Sequence, residues 1–482
     1  MSLKQKTITG LIWSFIENFA NLGVTFVAGI ILARILSPRE FGLIGMITIF
    51  IAVSESFINS GFSSSLIRKK DCTQADYSTV FFFNLGIGIL FFTLLYFAAP
   101  AIGDFFKEPE LKPIVQVLGL VLIIDSLTLI QKTILIKRID FKLQAKISVI
   151  SSTGSGIVAV VMAYKGFGVW SLVVQILSRQ TLNSVFFWLW NRWKPIMVFS
   201  VDSFKELFGF GSKLLISGLI DTIYKNVYSM VIGKYFSAQE LGFYTRASQF
   251  KQLPSQNISG VIQKVTYPVL ASIQDNVPRL RDYYRKLIRS TMFITFNLML
   301  GMAAVAEPMI ITLIGEKWRP CIIYLQMLCF VGMFYPLHAL NLNMLQVQGR
   351  SDLFLRLEII KKILAIPTII IGVFWGIKIM IAGMMVNTLI AYYLNSFWSG
   401  KMIGYSMKQQ VKDILPSFFM AALMAALVFC LRWVLNVNPL LTLIIQVFAG
   451  AMFILILSEI TRFKDYLFLK SLISEKLSFK KH

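Results

Sequence analysis

Acidic residues are scarce in this chain: 24 Asp and Glu stand against 47 Lys and Arg in 482 residues, a formal net charge of +23. Charged residues of both signs make up only 15% of the sequence, hydrophobic ones make up 56%, and the mean hydropathy is +0.70. Too little polar sequence remains to clothe a soluble domain of this size. Two histidines leave no multi-His metal centre or proton relay. The four cysteines, Cys72, Cys321, Cys329 and Cys430, show neither CxxC nor Cys/His ligand spacing. That spacing excludes a zinc site and gives no disulfide framework. No metal and no organic cofactor is expected; a coupling cation, H+ or Na+, is the one such group left open.

What the chain has instead is fourteen apolar runs between Gly10 and Ile460. Each is about long enough to cross a hydrocarbon layer of ~30 Å. The expected spans are 10–33, 41–66, 79–102, 113–136, 147–164, 168–190, 213–233, 241–270, 287–311, 321–347, 355–377, 379–400, 414–435 and 439–460. The fold class is therefore an all-α polytopic membrane protein. Roughly 32 Lys and Arg fall on the side of the N-terminus and about 10 on the other, which places both termini in the cytoplasm by the positive-inside rule. The excess of positive charge is thus largely a topology signal, and nucleic acid is not an expected partner. The apolar stretch after Met1-Ser-Leu-Lys-Gln-Lys is too long for a cleaved signal and is expected to stay as the first helix.

An octapeptide recurs. Leu36-Ser-Pro-Arg-Glu-Phe-Gly-Leu43 follows the first span and Phe236-Ser-Ala-Gln-Glu-Leu-Gly-Phe243 the seventh, with Ser, Glu and Gly matched at an offset of 200. An even number of spans between the copies gives both units the same membrane orientation. The chain then reads as two parallel six-helix bundles, 1–200 and 201–402, with two further helices and a basic tail over 403–482. Repeats of this kind carry substrate sites where their halves meet, and the architecture reads as a transporter.

Polar groups at membrane depth are costly unless they face a cavity or a partner, so they are the candidate functional residues. The eighth span is the least lipid-like. It carries Arg246, Gln249, Lys251 and Gln256 around Pro254, and is expected to form the cationic wall of a cavity. Lys225 and Asp221 are four residues apart on the seventh span and can pair. Arg179 lies between Gln175 and Gln180 on the sixth. Arg246, Lys251, Lys225, Arg179, Gln249 and Gln256 are the candidate substrate-binding residues; Asp221 and Glu17 are the candidates for ion coupling. Glu17 shares a helix face with Asn21. Glu55 and Asp125 are weaker candidates that could simply pair with a nearby polar or basic group. His338 among apolar neighbours reads as a packing histidine, and Glu358, Lys361 and Lys362 as an interfacial anchor.

With those residues in view, the chain resembles the Wzx/WzxC-like oligosaccharide-lipid flippases, the polysaccharide transport branch of the multidrug/oligosaccharidyl-lipid/polysaccharide (MOP) exporter superfamily. The resemblance rests on Leu36-x-Pro38-x-Glu40-Phe41-Gly42, Tyr267-Pro-Val-Leu270, Gly315-Glu-Lys-Trp318 and Gly349-Arg350. It implies paired six-helix bundles working by alternating access in the bacterial inner membrane. It also implies that an undecaprenyl-diphosphate-linked glycan moves from the cytoplasmic to the outer leaflet, for O-antigen, capsule or exopolysaccharide assembly. Membrane lipids and a polysaccharide polymerase or export machinery are the implied partners. A cationic cavity suits a diphosphate. A cation-coupled drug antiporter of the same superfamily, and a membrane glycan polymerase or acyltransferase, are the alternatives. The first would favour an acidic cavity, and the second would need a long extracytoplasmic loop or an exposed catalytic set.

Overall fold

The computed structural model describes residues 3–59, 61–435 and 437–478, and every regular element among them is helical. Among the described residues, eleven helices or helix pairs are long and apolar enough to cross a membrane. The molecule is a multi-pass membrane protein. Three further expected spans are helical too, but more polar. Gln175, Arg179 and Gln180 interrupt one, Arg246, Gln249 and Lys251 the second, and Glu358, Lys361 and Lys362 the third.

Two compact units divide the chain, Met1–Gly242 and Phe243–His482. The first contains α1 (Leu3–Ile35), α2 (Pro38–Asn59), α3 (Phe62–Arg68), α4 (Gln74–Phe106), α5 (Leu111–Leu118), α6 (Leu120–Arg138), α7 (Phe141–Tyr164), α8 (Trp170–Asn191) and α9 (Val201–Tyr235), and ends in the first turn of α10 (Ala238–Ser272). Here α1 lies on α7, α7 on α8, α6 on α4 and α8, and α9 on α2, α3 and α4. The boundary at Gly242 falls after α9 rather than before it. A core of Phe62, Leu66, Phe81, Ile130, Ile134 and Leu207 joins α9 to α3, α4 and α6.

The second unit holds the rest of α10, then α11 (Val277–Ala304), α12 (Ala306–Ile314), a short 3-10 turn at Glu316–Trp318, α13 (Cys321–Met333) and α14 (Tyr335–Val347). It continues through α15 (Ser351–Trp375), α16 (Ile377–Ile403), α17 (Met407–Val434), α18 (Pro439–Ile460) and α19 (Lys464–Ser478). Helix α11 packs along α17 and α13, and α15 along α16.

Local sequence starts these helices where it should. The Thr73 hydroxyl accepts from Asp76 N and the Asp76 carboxylate accepts from Thr73 N, a reciprocal cap on α4. Ser406 and Gln409 do the same for α17. Asn438 caps α18 with Pro439 in its first turn.

Many large apolar side chains lie on the outside of the helices. Phe97, Phe374, Trp433 and Val434 are 75–79% exposed, as fits helices solvated by lipid. Ser54, Ser259 and Thr295 are buried, and each hydroxyl donates to the carbonyl four residues earlier, which removes the cost of a dry polar group. His338 lies 3.4 Å from the Asn395 amide, and the Asn341 carbonyl oxygen accepts from the Ser399 hydroxyl at 2.5 Å. These contacts tie α14 to α16.

Candidate functional site

Within the first unit, five membrane helices turn polar side chains toward one cavity of about 320 Å³. Helix α6 supplies Asp125, Thr128, Leu129 and Lys132, spaced i, i+3, i+4 and i+7 and so on one face. Glu55 and Asn59 come from α2, Gln144 and Ser148 from α7, and Gln180, Asn183 and Phe187 from α8. Glu17 of α1 completes the wall.

Hydrogen bonds fix the orientation of this wall. The Gln144 amide donates to Glu17 Oε1 at 3.3 Å. One turn along α1, the Asn21 amide donates to Ser148 Oγ at 2.6 Å and its carbonyl oxygen accepts from Ser152 at 2.8 Å. Glu17 and Asn21 therefore share the α7-facing side of α1.

Glu55 and Asp125 both line the cavity, close enough to interact electrostatically. Where two carboxyls meet, only a protonated one can donate to the other. Lys132 lies within electrostatic range of both Asp125 and Glu17. Three carboxyls, one ammonium and several amides thus share one polar recess inside an apolar bundle. That arrangement can take up and release a proton. Among the described residues, no group of three or more His, Cys, Asp or Glu is arranged to hold a metal ion.

The residues expected to bind substrate fall elsewhere. Arg246 is buried, 6% exposed, in the second unit. Its Nη1 donates to Gln249 Oε1 at 2.6 Å, and its guanidinium carbon stands 5.6 Å from the centre of the Trp318 ring. Lys251 is half-buried, and its methylenes lie against Gly332 of α13: a Cβ added there would come within 2.8 Å of Lys251 Cγ. Gln249 and Gln256 are exposed. In the first unit Lys225 and Asp221 form the expected pair, at 2.7 Å and largely exposed. Arg179 is half-buried beside Gln180 but does not line the cavity. Of the two ion-coupling candidates, Glu17 lines the cavity and Asp221 does not.

Glu55 and Asp125, ranked low from sequence, face each other at this site. Polar residues three or four apart on α2, α6, α7 and α8 were a visible signal. Which helices adjoin was not.

The octapeptide copies also meet. A Cβ added to Gly42 would fall 1.6 Å from the Ala238 carbonyl oxygen, and one added to Gly242 would fall 1.9 Å from that of Pro38. Each glycine lets the first turn of its helix rest directly on the backbone of the other copy. The Ser37 amide and hydroxyl both donate to Glu40 Oε2, at 2.5 and 2.8 Å, and the Glu240 amide donates to Ser237 Oγ at 3.1 Å. The shared Ser, Glu and Gly are the residues that build the two turns and their contact.

The sequence profile of the polysaccharide biosynthesis protein family matches residues 31–323. The chain is 25% identical over 428 residues to the lipopolysaccharide biosynthesis protein WzxC of Escherichia coli K12, covering 87% of this chain and 86% of that one. It is 25% identical over 354 residues to the teichuronic acid biosynthesis protein TuaB of Bacillus subtilis, covering 73% of each. Among solved structures, the lipid II flippase MurJ in an inward closed conformation superposes with a TM-score of 0.77 at 16% identity, over 95% of this chain and all of that one. At that identity the likeness speaks for the fold. The chain belongs to the polysaccharide biosynthesis protein family and is a Wzx-like member of the MOP superfamily, a transport protein and not an enzyme.

Proposed function

We propose that this protein flips an undecaprenyl-diphosphate-linked oligosaccharide from the cytoplasmic to the outer leaflet of the bacterial inner membrane, by alternating access, for assembly of a surface polysaccharide. The chain crosses the bilayer fourteen times in this reading, as two parallel six-helix repeats and two added helices, with both termini cytoplasmic. The observation that carries it is the ionisable cavity of Glu17, Glu55, Asp125 and Lys132 inside an otherwise apolar bundle. A membrane protein without catalysis has little reason to keep such groups at depth except to move charge or polar cargo. The carboxyl cluster exchanges the coupling proton or cation. Arg246 and Lys251, supported by Lys225, Arg179, Gln249 and Gln256, hold the diphosphate during its passage; Asp221 restrains Lys225 when no substrate is bound. Polymerase and export proteins take the glycan onward.

The acidic character of the cavity also favours a second reading, a cation-coupled antiporter. The two readings part on cargo. In a strain lacking its own flippase, Glu55→Gln/Asp125→Asn should abolish surface glycan while the protein still accumulates in the membrane, and Arg246→Ala or Lys251→Ala should reduce it. Loss of drug resistance without any effect on glycan would favour the antiporter. If Arg246→Ala, Lys251→Ala and their combination all complement like wild type at matched levels, these two residues do not hold the diphosphate.

A further inference from the structure

A second charged recess, of about 400 Å³, lies in the second unit where the first turns of α11 meet α19. Arg285, Lys286 and Arg289 of α11 and Lys464 of α19 face it, together with Asp282, Asp465 and Phe468. Both arginines are held from behind. Asp413 takes Arg285 in a two-pronged pair, Nε to Oδ2 at 2.5 Å and Nη2 to Oδ1 at 2.7 Å, and also accepts from the Tyr405 hydroxyl at 2.7 Å. Asp465, only 5% exposed, lies 2.9 Å from Arg289 Nε, close enough for charge pairing though out of line for a hydrogen bond. Ser417 Oγ donates to the other Asp465 oxygen at 3.4 Å.

A guanidinium has five N–H donors, so each arginine keeps donors beyond those its carboxylate takes. Lys286 and Lys464 are exposed and make no ion pair among the described residues. Positioned arginines with leftover donors, flanked by two uncommitted ammonium groups, form a receptor for a tetrahedral oxyanion.

The position of the recess decides what carries that oxyanion. Helix α18 ends at Ile460, 74% exposed, and Lys464 follows four residues later. The Phe463 ring stacks on Phe293 at 5.5 Å, Phe468 forms part of the wall, and Leu467 beside it is 38% exposed. Charge and apolar surface therefore change over at this recess, as they do where a bilayer meets its headgroups. We propose that it binds the phosphodiester of an anionic membrane phospholipid, with the acyl chains on the apolar flank of α18 and α19. Basic groups at this depth attract anionic lipid by about fivefold per side chain. The site lies apart from the ionisable cavity of the first unit, and its occupancy is independent of what the protein exports.

Full-length protein in detergent, titrated with short-chain phosphatidylglycerol and read by native mass spectrometry, tests this. Lys286→Gln/Lys464→Gln should weaken binding about 25-fold with an unchanged melting midpoint, since neither lysine holds the fold. Lys401→Gln/Lys408→Gln, an equal loss of charge from exposed lysines outside the recess, should leave binding intact. Phosphatidylcholine should bind the wild type far more weakly. Equal losses in the two double variants, or equal binding of the two lipids, would overturn the proposal. Saturation by inorganic phosphate or glycerol 3-phosphate at the same concentrations as the lipid would overturn its lipid source. Because binding and not export is read, failure here is separable from failure of the flippase assignment.

Discussion

Gly42 and Gly242 offer a test in which the perturbation is a single methyl group. The added Cβ of Gly42→Ala would lie 1.6 Å from a backbone oxygen, where ordinary contacts begin at 3.4 Å. The two backbones must therefore part by about 1.5–2 Å, because neither atom belongs to a side chain that can rotate away. Overpacking of this kind costs about 1–3 kcal/mol, and a backbone-on-backbone clash belongs at the upper end. For a domain of this size each kcal/mol lowers a melting midpoint by about 2–4 °C, so Gly42→Ala should fall by about 5–10 °C. Gly242→Ala should behave alike. The double variant should cost less than the sum, since the separation forced by the first methyl makes room for the second. Gly23→Ala and Gly86→Ala, whose added Cβ meets nothing within 4 Å, are the controls. The measurement is thermal loss of the monodisperse peak in fluorescence-detected size exclusion. A Gly42→Ala midpoint equal to that of Gly86→Ala would refute the contact.

Other expectations follow from the same structure. Asp76→Asn removes a carboxylate that caps α4 and lies 3.1 Å from Lys69; it should cost about 1–2 kcal/mol, read as a lower melting midpoint, with Thr73→Ala losing part of the same amount. Asp125→Asn gives Glu55 an amide N–H neighbour that does not titrate, so pH-driven transport in proteoliposomes should lose its proton dependence while the protein keeps its midpoint. Both termini cytoplasmic implies that a maleimide applied to intact cells labels a Lys107→Cys variant and leaves Cys72 unlabelled; the reverse pattern would invert the topology.

The class of this protein was written in its composition and in the lengths of its apolar runs, because a bilayer imposes one dimension on every span regardless of how spans pack. The caps at Thr73, Ser200, Asn276 and Asn438 are local as well, each side chain accepting from the backbone N–H three residues on. The Asp221–Lys225 pair was legible for the same reason: four residues along a helix is a distance that sequence alone determines. The octapeptide repeat marked two turns, yet only the folded chain laid Gly42 under Ala238 and Gly242 under Pro38, since steric contact needs two segments 200 residues apart. The candidate site divides likewise. Cationic side chains on α10 were visible in sequence, but the rotation of that helix turned Arg246 onto Trp318 and Lys251 onto Gly332 within its own unit. Glu17, Glu55 and Asp125 sit on three helices, and each alone is an ordinary isolated carboxylate; helix packing alone brought them to one cavity.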